Sequence, residues 1–159
     1  MNAAVLTVSD RVSRGEAVDL SGDLLAAGLE ADGFTVERRL VPDEADEIAA
    51  AIEDLAASVS VVLTTGGTGL APRDVTPEAT RTVLQREAPG IAEALRADSA
   101  KKTPHGLLSR GTAGVVGRAL VVNLPGSVGG CRDGYAVLQP ALKHAVELLA
   151  GDHTEHAQT

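Results

Sequence analysis

The sequence predicts an α/β domain built on a mostly parallel sheet, and three patterns carry that prediction. Short apolar runs alternate with stretches of helical periodicity from residue 3 to residue 63. This strand–helix–strand–helix–strand order implies parallel strands joined by right-handed crossovers. Val59 to Leu63 is rich in β-branched residues, as a strand buried on both faces requires. Ala113–Val116 and Ala119–Leu124, separated by Gly117-Arg118, read as a tight hairpin that adds one antiparallel strand to the sheet.

The first strand covers residues 3 to 8 and is ended by Ser9-Asp10-Arg11, after which a polar loop reaches about Leu20. Asp19 or Ser21 is placed to cap a helix over residues 22 to 32, stopped by Gly33. Phe34 to Val41 forms the second strand, half polar at Glu37-Arg38-Arg39. Pro42-Asp43 opens a helix to about Ala57, on which Ile48, Ile52 and Leu55 share one face. Thr76-Pro77-Glu78 starts the next, with the Thr76 hydroxyl as cap and proline in the first turn, running to about Arg86. Pro89 begins another over Ile91 to Ala97, and a last helix covers Cys131 to Leu149, divided or bent at Pro140 and stopped by Gly151. Residues 152 to 159 read as a frayed polar tail.

At 159 residues the chain has room for one compact domain, 1–159, and not for a second independent core. Phe34 and Tyr135 are its only aromatic side chains, which disfavours a base-stacking surface. A net charge of −8 disfavours nonspecific binding to nucleic acid or an anionic membrane. A phosphorylated ligand remains compatible with that charge where backbone N–H groups or a metal ion supply a local positive field. Cys131 is the single cysteine, so no internal disulfide forms. Without a leader-like start or a long apolar run, the chain is read as cytoplasmic.

The segment Thr64-Thr65-Gly66-Gly67-Thr68-Gly69 begins at the carboxyl end of the best strand, where open α/β sheets bind ligands. Its glycines let the backbone approach a ligand closely, its amides can cradle an anion, and Thr65 and Thr68 add hydroxyl donors. It is neither a Walker loop nor a dinucleotide fingerprint. A structural tight turn competes on glycine content alone; Arg73-Asp74 and the helix start at Thr76 favour a functional loop. Asp43 reads either as a helix cap or as a second carboxylate facing Asp74. Two such carboxylates suit Mg²⁺, which binds through oxygen ligands and substrate phosphates. Asn123-Leu124-Pro125-Gly126-Ser127 follows a buried strand to the same sheet edge, as a phosphate-donating turn or a plain strand-to-helix turn. Ser109-Arg110 reads as a contact to an anionic ligand or as a surface ion pair. His105 and His144 form no metal-ligand pattern, His153 and His156 fall in the tail, and Cys131 lacks a catalytic base.

TTGGTGLAPRDVTPEAT at residues 64 to 80, LSR at 108 to 110 and NLPGS at 123 to 127 resemble the molybdopterin adenylyltransferases, the MogA/MoaB-like family that includes the gephyrin G domain. SDR at 9 to 11, SG at 21 to 22, VPDE at 41 to 44 and REAPG at 86 to 90 extend the likeness over nearly the whole chain. The resemblance implies a three-layer α/β sandwich whose mostly parallel sheet contains an antiparallel edge strand, assembled as a homotrimer. It implies a reaction in which ATP and molybdopterin, with Mg²⁺, give adenylyl-molybdopterin and pyrophosphate, the product passing to a molybdenum-insertion enzyme. Asp43 and Asp74 fall at the family's functional aspartate positions, as holders of Mg²⁺ and phosphates. Gly66, Gly67, Thr68 and Gly69 fall in its phosphate- and pterin-binding loop; Ser21, Gly22, Gly126 and Ser127 fall in other ligand-contacting segments. Thr65 and Ser109 join this expected binding set. Two departures remove positive charge: Val116 stands where several members have a basic residue, and no lysine follows Ser127. Both are expected to weaken the hold on an anionic ligand. A homologue that binds molybdopterin with little adenylyl transfer, and an oligomeric scaffold, are the competing readings; retention of both aspartates favours catalysis.

Overall fold

The computed structural model describes residues 1–151; the expected tail, with His153 and His156, lies outside the described residues. The strands β1 (Asn2–Val8), β2 (Thr35–Val41), β3 (Val61–Thr65), β4 (Arg86–Glu87), β5 (Ala113–Val116) and β6 (Ala119–Leu124) form one sheet in the order β2-β1-β3-β6-β5-β4. β2, β1, β3 and β6 run parallel, while β5 is antiparallel to both its neighbours. The expected antiparallel strand is therefore present, with the two-residue β4 beyond it at the edge. So short an edge offers little template for pairing with another chain.

Helices α1 (Asp10–Ser13), α2 (Leu20–Ala31), α3 (Ala45–Ala56), α4 (Thr76–Val83), α5 (Pro89–Lys102) and α6 (Val128–Ala150) cover both faces. The period-2 alternation of the strands builds a core on each side. Ala3, Val5, Leu63 and Val122 meet Leu25 and Leu29 of α2 and Leu138 and Leu142 of α6, with Ile91 and Leu95 of α5 packed against them. Ala4, Leu6, Val62 and Val121 face the opposite way, onto Ile48, Ile52 and Leu55 of α3 and Ala79 of α4. The result is the three-layer sandwich expected above.

Several local expectations are resolved or changed. α2 is capped by Asp19, whose carboxylate accepts from the Gly22 amide, and not by Ser21. Val75, not Thr76, is the cap of α4, and the Thr76 hydroxyl is buried without a hydrogen-bond partner among the described residues. α4 stops at Val83 because Leu84 is extended and Gln85 donates to the Val115 carbonyl, turning Arg86–Glu87 into a strand. α6 is continuous through Pro140. That ring sits on the exposed face, where water can reach the carbonyl that loses its amide partner. The short α1 occupies what was read as loop; its cap Ser9 accepts from the Val12 amide.

Candidate active site

From β1 the sheet grows in both directions, to β2 on one side and to β3 on the other. A crevice opens at such a switch point, beyond the carboxyl ends of the strands. Segments after β1, β2, β3 and β6 all converge there: Ser9-Asp10, Asp43, the glycine loop and Pro125–Ser127.

The glycine loop needs its glycines at two places. Gly66 and Gly67 have φ of 100° and 66°. A Cβ on Gly66 would strike the Val8 carbonyl, and one on Gly67 would strike the Thr76 hydroxyl and lie 3.1 Å from Asp43 Oδ1. The Gly66 amide donates to the Leu124 carbonyl at 3.2 Å, and the Ala71 amide to Asp74 Oδ2 at 2.9 Å. Between them, the amides of Gly67, Thr68 and Gly69 have no acceptor among the described residues. Consecutive free amides of this kind form an anion-binding concavity.

Asp43 is not a helix cap, since Glu44 occupies that position. It exchanges reciprocal bonds with Asp10: Asp10 N–H donates to Asp43 Oδ2 at 2.9 Å and Asp43 N–H to Asp10 Oδ1 at 3.0 Å. Arg73 pairs with Asp10 at 2.6 Å and with Glu44 at 2.8 Å, and not with its neighbour Asp74. The Arg73 guanidinium, helped by the Asp43 amide, holds the Asp10 carboxyl below the usual range. Asp43 moves the other way: partial burial, reinforced by the negative charges of Asp10 and Asp74, pushes its carboxyl up despite the Asp10 amide.

Two cavities, of about 630 and 690 Å³, lie on either side of the loop. Gly67, Asp74, Gly126 and Ser127 line both. Ser21, Asp43, Thr65 and Gly66 line the first; Thr68, Gly69 and Ser109 line the second. Gly22 lines neither. It is packed behind Ser21, where a Cβ would collide with Asp19, Arg38 and Thr7. Thr65 turns its hydroxyl inward, to the Pro125 carbonyl at 2.7 Å and Ser21 Oγ at 3.1 Å, tying three cavity-lining segments together. Asn123 is likewise spent inside, donating to Thr64 and Thr80 and accepting from the Thr112 amide. Cys131 is buried and its thiol pushed up to about 11 by that burial, against the Thr65 hydrogen bond, which leaves it inert.

Val116 corrects one expectation. It pairs with Ala119, the first residue of β6, whereas the site lies beyond Leu124 at the other end of that strand. Five strand residues separate the levels, roughly 17 Å, so its lost charge is remote from the cavities. Val128, following Ser127, does line the first cavity. The residue reading missed Asp10, Arg11, Arg14, Asp19 and Leu20 around that cavity, and Arg96 and Lys102 in the second. SDR within the resemblance was the one signal for Asp10.

Comparison with known proteins gives this geometry a family. Residues 4–144 match the family described as "Probable molybdopterin binding domain". The chain is 36% identical over 160 residues to the molybdopterin adenylyltransferase of Helicobacter pylori strain J99, covering 98% of this chain and 91% of that protein. It is 40% identical over 151 residues to the molybdenum cofactor biosynthesis bifunctional protein of Chlorobaculum tepidum, covering 94% of this chain but 48% of that protein, so it spans about half its length. The crystal structure of the molybdopterin biosynthesis enzyme MoaB from Thermus thermophilus superposes with a TM-score of 0.88 at 46% identity, over 94% of this chain and 96% of that one. The chain belongs to this molybdopterin-binding domain family.

Proposed function

We propose that the chain acts in molybdenum cofactor biosynthesis as a molybdopterin adenylyltransferase. The terminal phosphate oxygen of molybdopterin forms a bond to the α-phosphorus of ATP, the α–β phosphoanhydride bond breaks, and pyrophosphate leaves with the electron pair. The observation that carries this reading is the meeting of two substrate-sized cavities at Gly67, Asp74, Gly126 and Ser127. A reaction that joins two ligands through a phosphate needs both ends to meet beside phosphate-binding amides; the free amide of Gly67 belongs to a residue lining both cavities, and those of Thr68 and Gly69 continue along the second.

The donor set fits Mg²⁺. Asp43 and Asp74 are hard oxygen ligands, and the upward push on the Asp43 carboxyl is relieved when a cation offsets the surrounding negative charge. Among the described residues no third His, Cys, Asp or Glu completes a protein-only cage, which suits an ion that takes its remaining ligands from phosphates and water. When bound, Mg²⁺ supplies charge neutralisation for the triphosphate. The chain itself positions the phosphates on the loop amides, binds the second ligand along Ser21 and Ser127, and offers no covalent nucleophile. Action as a homotrimer in the cytoplasm, with transfer to a molybdenum-insertion enzyme, belongs to the same proposal.

Incubation of the chain with ATP, Mg²⁺ and molybdopterin tests it. Equimolar pyrophosphate and adenylyl-molybdopterin are the expected products. Tight pterin binding without either product overturns adenylyl transfer in favour of a binding-only role.

A further inference from the structure

A loop that owes its path to glycine also owes glycine its freedom, and ordering each such residue costs conformational entropy. Free amides at Gly67–Gly69 serve as an anion cradle only if another group holds them in place. Arg110 makes that connection. Its amide donates to the Thr68 carbonyl at 2.9 Å. Its guanidinium donates from Nε to the Gly69 carbonyl at 2.8 Å and from Nη2 to the Asp74 carbonyl at 2.7 Å. Nη1 pairs with the Glu78 carboxylate on α4. One planar fork thus spans both ends of the loop segment that carries Asp74 and is itself anchored to the helix that follows.

The same bonds bear on the cradle's strength. The Thr68 carbonyl shares a peptide unit with the free Gly69 N–H, so donation into that oxygen polarises the N–H toward an anion. The loop's internal bonds, Asp74 N–H to the Ala71 carbonyl and Ala71 N–H to Asp74 Oδ2, close the segment that Arg110 grips.

We propose that Arg110 is a positioning residue: it holds the glycine loop, and through it Asp74 and the free amides, in the geometry that receives phosphate. It acts through carbonyl oxygens and the Glu78 ion pair and not as an anion contact, which replaces the ligand-contact reading of Arg110, while Ser109 still lines the second cavity.

Hydrogen exchange and turnover in Arg110→Ala, Arg110→Lys and Glu78→Gln test this. In Arg110→Ala the amides of Ala71, Asp74 and Thr76 are expected to exchange at least about tenfold faster while those of β3 and β6 keep their protection. Turnover is expected to fall about 100-fold with a smaller change in KM, and tens of millimolar guanidinium to restore about tenfold of it. Arg110→Lys keeps the charge but loses the fork, and is expected to recover less than about a tenth of the lost rate. Glu78→Gln leaves the fork in place and gives a milder version of both effects, providing the readout should Arg110→Ala fold poorly. Unchanged loop exchange, acceleration spread over all amides, or full activity in Arg110→Lys would each overturn the proposal. The turnover readings rest on adenylyl transfer. If wild-type protein makes no product, that reading fails, and the exchange pattern still decides Arg110.

Discussion

At the carboxyl ends of β1, β2, β3 and β6 the chain gathers Asp10, Asp43, Thr65, Gly66 and the Pro125–Ser127 turn, with two glycines at positive φ and a carboxylate pushed up by partial burial and, behind that, by its like-charged neighbours. At the other end of the same sheet, the β5–β6 hairpin turns at Gly117-Arg118, and a Cβ on Gly117 would meet nothing. Both ends use glycines at positive φ, but around Gly66 and Gly67 the Cβ side is crowded and a carboxylate is pushed up, whereas around Gly117 it is open. Crowding and unfavourable charge persist where the surrounding fold over-determines them, and they mark the end at which the proposed site lies.

The largest expected effect that would break this contrast is loss of either aspartate. Asp43→Ala and Asp74→Ala are expected to lower the rate of pyrophosphate release about 10²–10³-fold, the range for removing one preorganised electrostatic group. Melting temperatures should change little, since neither side chain is core. Retained turnover in both variants would remove the aspartates from the reaction.

Gly67→Ala comes next. A methyl group there meets the Thr76 hydroxyl on a backbone held at φ 66°, and a loss of about 1–3 kcal/mol in denaturant unfolding is expected, with turnover reduced more steeply than stability. Gly117→Ala also has positive φ, at 58°, but open space around it, so it separates pure backbone strain from collision at the loop.

A smaller effect concerns pH. The Asp43 carboxyl is raised in the fold, so its contribution to stability is fully present below its unfolded pKa and is lost as pH rises through its folded pKa. Asp10 is lowered, so its contribution is present above its unfolded pKa and lost as pH falls through its folded value. Asp43→Asn is therefore expected to gain stability relative to wild type as pH rises through the Asp43 folded pKa, while losing turnover. Thermal melts across that window would show the crossover, and a constant difference would contradict it.

The smallest effects compare two lysines. Val128→Lys, on the wall of the first cavity, is expected to tighten the anionic substrates a few-fold in KM. Val116→Lys, at the far end of β5, is expected to leave KM within about twofold of wild type, because charges that far apart are screened. Equal responses would mean that the two ends are not electrically distinct.

The parallel core was legible because its signal is local: β-branched runs and a three-to-four spacing on α3 need no knowledge of the partner. Leu84 to Glu87 was not, because β4 exists only through bonds to β5, and nothing in Gln85-Arg86-Glu87 opposes continuing the helix. The cavity-lining aspartates were legible by position, at the ends of predicted strands. Their environment was not. That Arg73 serves Asp10 and Glu44 and not Asp74, and that Asp43 is bonded to Asp10, depend on chain segments brought together across 29 to 63 residues. Gly22 and Asn123 sit in motifs beside cavity-lining residues but are spent on packing and internal bonds, a distinction that motif reading does not make.

The proposed reaction requires two ligands to meet at Gly67, Asp74, Gly126 and Ser127. Calorimetric affinity for adenylyl-molybdopterin, measured beside molybdopterin and AMP separately, tests it most directly. A ligand spanning both cavities is expected to bind at least about 100-fold more tightly than the better of its halves, since linking makes the second contact intramolecular. Affinity no greater than that of the better half would place the two cavities in separate roles and contradict the account.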